Sequence, residues 1–298
     1  MDSPSQDGTR ASSAQTAPLA SSEILEFSFD YCRSVARSRA RNFYYAVRLL
    51  PRDKRDAICV IYTFMRHADD LCDEPWATPG AIDDWREALE NALKGRFDAH
   101  PCWPALHATV NRYQIPHELF SKLIDGVSGD REHRRFRTFD DLYGYCYNVA
   151  SVVGLATIRV LGSDSPTAIT LAEKCGIAFQ LTNILRDIKE DLECNRMYLP
   201  LEDLERFEVT EDDLRQGLPN PKLIRLMAFE ADRARRFYSE ALPLIPLVDR
   251  ESRRCLRVLI IIYSRLLERI EQQGYDVFSQ RVQLSPLEKT FIALSSFR

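Results

Sequence analysis

Apolar residues recur at helical spacing along nearly the whole of this 298-residue chain, and no run alternates or closes on an Asn-Gly turn as a hairpin strand would. The periodicity predicts helices over about 24–48, 52–74, 80–98, 103–113, 116–128, 139–162, 166–193, 220–245 and 250–274, with shorter turns near 201–206, 210–216 and 286–295. Pro51, Pro79, Pro116, Pro166, Pro221 and Pro286 stand where a first helical turn tolerates a missing N–H, and Gly162 and Gly274 suit C-terminal caps. No internal stretch resembles a Pro/Gly/Ser linker. The expected fold class is therefore all-α, with a disordered Ser/Ala/Thr-rich tail over residues 1–22 and one helical domain over 23–298. Gly154 and Gly176, inside apolar helices, cost about 1 kcal/mol each against Ala, which points to close helix approach or room for a ligand.

Two aspartate pairs interrupt this apolar pattern at the same i, i+4 spacing: Asp69 and Asp73 in RHADDLCDE, and Asp187 and Asp191 in NILRDIKED. At 3.6 residues per turn each pair shares one helical face, about 6 Å apart along the axis. The first pair continues the apolar stripe Ile58, Tyr62, Met65, so its acids point inward. The second continues a polar line, Gln180 and Asn183, on a helix apolar nearly all round. Carboxylates about 6 Å apart repel by roughly 0.7 kcal/mol in water and roughly 3 kcal/mol at an effective dielectric of 20. Divalent cations remove that cost. Mg²⁺, which is usually held by one or two carboxylates plus substrate phosphates, suits paired acids meeting a diphosphate. The competing reading is that each pair is a solvated helix face.

A net charge of −4 argues against nucleic-acid binding. Local basic runs, Arg33 to Arg41 and Arg131 to Arg137, read as solvated faces or as contacts to an anionic ligand or membrane. The eight cysteines form no CxxC pair, so neither zinc nor a disulfide framework is expected and a reducing cytoplasm fits. No stretch reads as a membrane span, which leaves peripheral contact at the inner face of the membrane.

DDLCDE, NILRDIKEDLECNRMYLP, NFYYAVRLLP and YCYNVASVVG together resemble the squalene and phytoene synthases, the head-to-head prenyl synthase family, over about residues 27–295. The tail GYDVFSQRVQLSPLEKTFIAL is most similar to the bacterial hopanoid-pathway members. The resemblance implies an isoprenoid synthase-type helical bundle around a central cavity. By motif, Asp69, Asp73, Asp187 and Asp191 would bind Mg²⁺, assisted by Asp70 and Glu190. Arg41, Arg66, Arg186 and Arg196 would contact diphosphate, Arg186 within the catalytic set. Tyr62 and Tyr145 would stand near the reaction centre, with Tyr145 favoured for proton removal or cation guidance. Phe43, Val149 and Val153 would wall the pocket, and Gln180 and Asn183 would join the polar shell.

The resemblance further implies prenyl diphosphates as substrates, with handover to downstream pathway enzymes. The expected reaction joins two farnesyl diphosphates into presqualene diphosphate. The alternatives are a phytoene synthase using geranylgeranyl diphosphate and a complete squalene synthase, for which alone NADPH would be needed. Rivals from other classes are a helical scaffold binding ions structurally and a single-substrate terpene cyclase, in which an NSE-type pattern would stand where this chain has DxxxD.

Overall fold

The computed structural model describes residues 21–40, 42–73, 78, 80–129, 135–218 and 220–296, and for Asp73 the backbone alone. The expected tail therefore lies outside the described residues up to position 20, and a helix already begins at Ser22, capped by the Ser21 hydroxyl. Fifteen α-helices follow in the described chain: α1 Ser22–Arg39, α2 Phe43–Val47, α3 Arg52–Asp73, α4 Ala81–Leu93, α5 Trp103–Tyr113, α6 Glu118–Ser128, α7 Phe139–Cys146, α8 Val152–Leu161, α9 Pro166–Arg186, α10 Ile188–Glu193, α11 Leu201–Phe207, α12 Glu211–Gln216, α13 Pro221–Ala241, α14 Arg253–Gln272 and α15 Pro286–Ser295. Among the described residues the only β pairing is an isolated bridge between Arg135 and Met197.

Local chemistry sets the boundaries. Pro166, Pro221 and Pro286 each open a helix behind a side-chain cap from Ser165, Asn220 and Ser285. Gly162 ends α8 at φ 90°, a conformation that glycine adopts without a Cβ penalty. Five expected helices are divided or shortened, among them 166–193, which divides at Asp187. The 24–48 segment breaks after Arg39, and the 80–98 helix stops at Leu93. The 139–162 helix passes through a π-helical turn at Tyr147–Ser151, and α13 gives way to a 3-10 segment, Leu242–Leu247, containing Pro243 and Pro246. π turns accommodate one extra residue per turn and are invisible to a 3.6-residue periodicity.

Helix α9 packs against α13, α8, α14 and the π turn. Gly176 makes the last contact possible, since a Cβ there would stand 2.6 Å from Ser151 Cα. Gly154 faces Ala172 more loosely, its added Cβ 3.2 Å from the Ala172 carbonyl oxygen. Both glycines thus serve close helix approach. Thr182 and Tyr238 share a hydrogen bond of 2.8 Å that ties α9 to α13. An aromatic cluster fills the other end of the core: Phe64 on α3, fully buried, meets Trp85, Trp103 and Phe120 at centroid distances of 5.5, 6.2 and 5.1 Å. Truncation of such a ring to Ala costs about 3–5 kcal/mol.

One helix, Phe139–Leu161 through the π turn, is long and apolar enough to cross a membrane by length and composition, which the sequence reading did not flag. Here it packs against α3, α6 and α9. All eight cysteines are free, and six are buried.

Candidate active site

An apolar cavity opens between α3, the π turn with α8, α9 and α14, with Phe43 of α2 at its side. Val149, Val153 and Phe43 line it, as expected, together with Ile158, Leu161, Leu244, Leu256 and Leu259. Two of its walls, α3 and α9, both carry polar residues. Tyr62 faces it from α3, and Gln180 and Asn183 face it from α9, linked by an Asn183 Nδ2 to Gln180 Oε1 hydrogen bond of 3.5 Å.

Each wall leads to an aspartate motif. Tyr62 and Met65 line the cavity on α3, and Asp69 follows Met65 by four residues, half-buried. On the opposite wall Asn183 is followed by Asp187 and then Asp191, joined by backbone hydrogen bonds from Asp187 N to Asn183 O and from Asp191 N to Asp187 O, both 2.9 Å. Tyr263 of α14, unremarked in the sequence, stands between them. It lines the cavity and stacks on Phe179 at 4.3 Å. Burial raises the pKa of its phenol, Arg186 opposes the shift and Asp187 adds to it. Burial likewise pushes the Tyr62 phenol up to about 12, with Arg66 opposing and Tyr263, Asp69 and Asp70 adding. One phenol therefore senses the first motif and its neighbour senses the second.

The continuous helix expected over 166–193 is not formed. α9 ends at Arg186, Asp187 sits at a joint with φ −104° and ψ 13°, and α10 resumes at Ile188. The i, i+4 hydrogen bonding survives the joint, so the ligand spacing survives too. The first motif thus occupies a helix C-terminal end, where the partial negative charge of the last carbonyls disfavours acids and α3 carries no base in its last turn, whereas the second straddles the joint, with Asp187 closing α9 and Glu190 and Asp191 in the first turn of α10. Acids placed against the dipole call for a cation.

Nearby bases supply part of it. Arg66 pairs with Asp70 one turn along α3. Burial works against the Arg66 charge, but the Asp70 hydrogen bond and charge more than offset it and hold the guanidinium above its ordinary value. Arg186 pairs with Asp187, which reverses its burial penalty in the same way. Arg281, from the segment after α14, binds Asp187 Oδ1 through Nη2 at 2.8 Å and Nε at 3.0 Å, and lies 3.6 Å from Glu190. The sequence reading missed Arg281, because nothing local relates position 281 to position 187.

Among the described residues no group of three or more His, Cys, Asp or Glu side chains gathers to hold a metal ion. The donor set still fits Mg²⁺, which needs only one or two protein carboxylates when a diphosphate supplies other oxygens. Glu190 Oε2 is buried without a hydrogen-bond partner beside Asp187, a free acceptor of the kind such a site needs.

Other expected residues lie apart. Tyr145 is not among the residues lining the cavity; it stacks on Tyr198 at 5.1 Å and on Phe136 at 5.3 Å. Arg196 lines a separate narrow crevice with Asp191. Arg41 and the side chain of Asp73 lie outside the described residues, as do Arg131, His133 and Arg134. Arg33, from the first basic run, is tied to Glu26, Asp30 and Asp56.

A family model described as squalene/phytoene synthase matches residues 36–288. The chain belongs to the squalene/phytoene synthase family. Members of this family are prenyltransferases that join prenyl diphosphates head to head. The 15-cis-phytoene synthase of Synechocystis sp. is 37% identical over 282 residues, 89% of this chain and 83% of the relative. The phytoene synthase of Mycobacterium bovis is 36% identical over 276 residues, 91% of each chain. Among solved structures, a ligand-bound dehydrosqualene synthase superposes with a TM-score of 0.87 at 29% identity, covering 92% of this chain and 97% of that one. A squalene synthase from Alicyclobacillus acidocaldarius gives 0.79 at 32% identity, covering 85% and 96%. This family's all-α isoprenoid synthase fold is the bundle described above.

Proposed function

We propose that this protein condenses two farnesyl diphosphates into presqualene diphosphate with release of diphosphate. The observation that carries the reading is the convergence of two polar lines, Tyr62 to Asp69 and Gln180 to Asp187, on one apolar cavity.

Along α9 the cavity lining runs from Asn183 to Ala172, and Asp187 stands one turn beyond, about 22 Å in all at 1.5 Å per residue, so the cavity has the length for a prenyl chain with its diphosphate at the aspartates. The farnesyl chain is supported by the likeness to the squalene synthase of Alicyclobacillus acidocaldarius.

In the reaction, the allylic C–O bond of one substrate breaks and its electron pair leaves with the diphosphate. Arg66 and Arg186, preset by Asp70 and Asp187, lie where negative charge concentrates on the departing group. Bound Mg²⁺ would supply Lewis-acid stabilisation of that charge, held by Asp69, Asp73, Asp187 and Asp191 with Asp70 and Glu190 beside them. The double bond of the second substrate closes on the allylic cation, a proton departs and a cyclopropane forms. The ring faces of Phe43, Tyr62 and Phe179 suit guidance of the cation, and the aliphatic walls exclude water that would capture it as an alcohol. Tyr62 takes the role that the motif comparison favoured for Tyr145.

A second reading, condensation of two geranylgeranyl diphosphates toward phytoene, is favoured by the names of the sequence relatives. Continuation to squalene would add NADPH as reductant. We further assign peripheral membrane contact, a cytoplasmic location and handover of the apolar product to downstream enzymes. The test is incubation of the purified protein with labelled farnesyl or geranylgeranyl diphosphate and Mg²⁺, with and without NADPH, followed by product identification. Presqualene diphosphate from farnesyl substrate alone supports the first reading, and a C40 product transfers it to the second. Absence of any isoprenoid product overturns both.

A further inference from the structure

Helix α15 turns Lys289 inward and most of its large apolar side chains outward. Lys289 is buried, its Nζ 5.5 Å from the centre of the Tyr45 ring, and Glu288 pairs with Arg269 while closing a capping box with Ser285. The residues left facing outward are Pro286, Leu287, Thr290, Phe291, Leu294 and Ser295, none of them charged. Leu287, Phe291 and Leu294 are 82%, 72% and 60% exposed. They fall at i, i+4 and i+7, so they form one stripe. Surface helices ordinarily show the reverse arrangement, and an exposed stripe of this kind marks an interaction site.

The charge around the stripe identifies its partner. Residues 253–298 hold eight Lys and Arg against four Asp and Glu, in a chain whose net charge is −4. Arg254 donates to the Ala293 carbonyl at 2.9 Å and the Ser296 hydroxyl at 3.0 Å, which fixes it beside α15. Arg257 is exposed on the next turn of α14, and Arg265, paired with Glu268 at 2.6 Å, borders the groove that Leu287 and Phe291 share with Ile261.

We infer that the α15 stripe docks the protein on an anionic lipid surface, with Leu287, Phe291 and Leu294 at the headgroup boundary and Arg254, Arg257 and Arg265 over lipid phosphates. α15 packs on α2, which carries Phe43 to the cavity, so docking sets the cavity's flank beside the bilayer. The use of that placement for apolar substrates rests on the reaction proposed above; the docking does not.

Vesicle co-sedimentation reads docking alone. The wild-type chain should bind mixed phosphatidylcholine and phosphatidylglycerol vesicles more tightly than phosphatidylcholine alone, and less tightly as salt rises. The triple variant Leu287→Ser, Phe291→Ser, Leu294→Ser should bind at least roughly tenfold more weakly, and Arg257→Gln roughly fivefold more weakly to the anionic vesicles. Phe291→Trp, which keeps the stripe apolar, should retain binding and shift its fluorescence to the blue on contact. The inference is overturned if wild type stays unbound to both vesicles, if the triple variant binds as wild type does, or if it only converts a dimer to monomer without changing vesicle binding.

Discussion

The two aspartate motifs share a spacing and differ in how they are built. On α3, Asp69 and Asp70 sit in an unbroken helix, and the partner of Asp70 is Arg66, four residues back on the same helix. On the opposite wall the helix breaks at Asp187, whose carboxylate is held by its neighbour Arg186 and by Arg281 from 94 residues further along the chain. Asp70 is held from within its own helix, and Asp187 is held by tertiary contact as well. Equal spacing in sequence therefore does not mean equal dependence on the rest of the fold.

Substituting each wall in turn sharpens the contrast. Both Asp69→Asn and Asp187→Asn should lower turnover by roughly 100-fold or more, since each removes a charge from the proposed metal and diphosphate shell. Asp187→Asn should also destabilise the fold, because it strips the Arg186 guanidinium, 13% exposed, of its counter-ion. Steady-state rates with urea unfolding read both quantities. Unchanged stability in Asp187→Asn would break this account of the second wall.

What the chain showed in advance follows the same division. Tyr62 on the α3 stripe, the polar line Gln180 and Asn183, and the cap positions Pro166, Pro221 and Pro286 follow from spacing within one helix, while Val149 and Val153 came from the motif resemblance; the structure puts these five side chains on the cavity and the prolines at helix starts. Arg281 and Tyr263 escaped notice because their relation to Asp187 is made only by packing of α14 against α9 and the return of the following segment. Tyr145 came from the motif resemblance and not from spacing; its ring joins Phe136 and Tyr198 and is not among those lining the cavity.

The second wall also depends on a close approach that the first does not need. Gly176→Ala should cost about 2–3 kcal/mol, because its Cβ would meet the Ser151 backbone at 2.6 and 2.8 Å, atoms that cannot rotate aside. Gly154→Ala faces a single carbonyl at 3.2 Å and should change stability by less than about 1 kcal/mol, helix propensity offsetting the crowding. Similar values in thermal or urea unfolding would show that the α8 and α9 seam yields more freely than its geometry implies.

The first wall has its own weakness, acid. Behind α3 the rings of His67 and His100 lie 4.5 Å apart against Trp85. Burial lowers the His100 pKa to about 4, the His67 charge lowering it further and Asp98 opposing. The folded protein therefore takes up this proton later than the unfolded chain. The resulting stability is complete above pH 6.5 or so and is lost as pH falls toward 4, by roughly 2 kcal/mol after allowance for solvent screening. His100→Phe should flatten that acid limb in unfolding measurements across the range; an unchanged slope would move the acid sensitivity elsewhere.

The smallest expected effect belongs to Arg281. Its side chain is 56% exposed, so its pairing with Asp187 is screened and Arg281→Gln should change stability by less than about 1 kcal/mol, fading with added salt. Arg186, far less exposed, remains to neutralise Asp187 in that variant. The double variant Arg186→Gln, Arg281→Gln then completes a cycle. If the second wall is held by both bases acting on one carboxylate, the combined loss exceeds the sum of the single losses, because only the double variant leaves Asp187 without either guanidinium. Strict additivity would mean that Arg281 only rests on an acid that Arg186 already satisfies, and the tertiary contact separating the two walls would then reduce to a helix-local pair like that of Arg66 and Asp70.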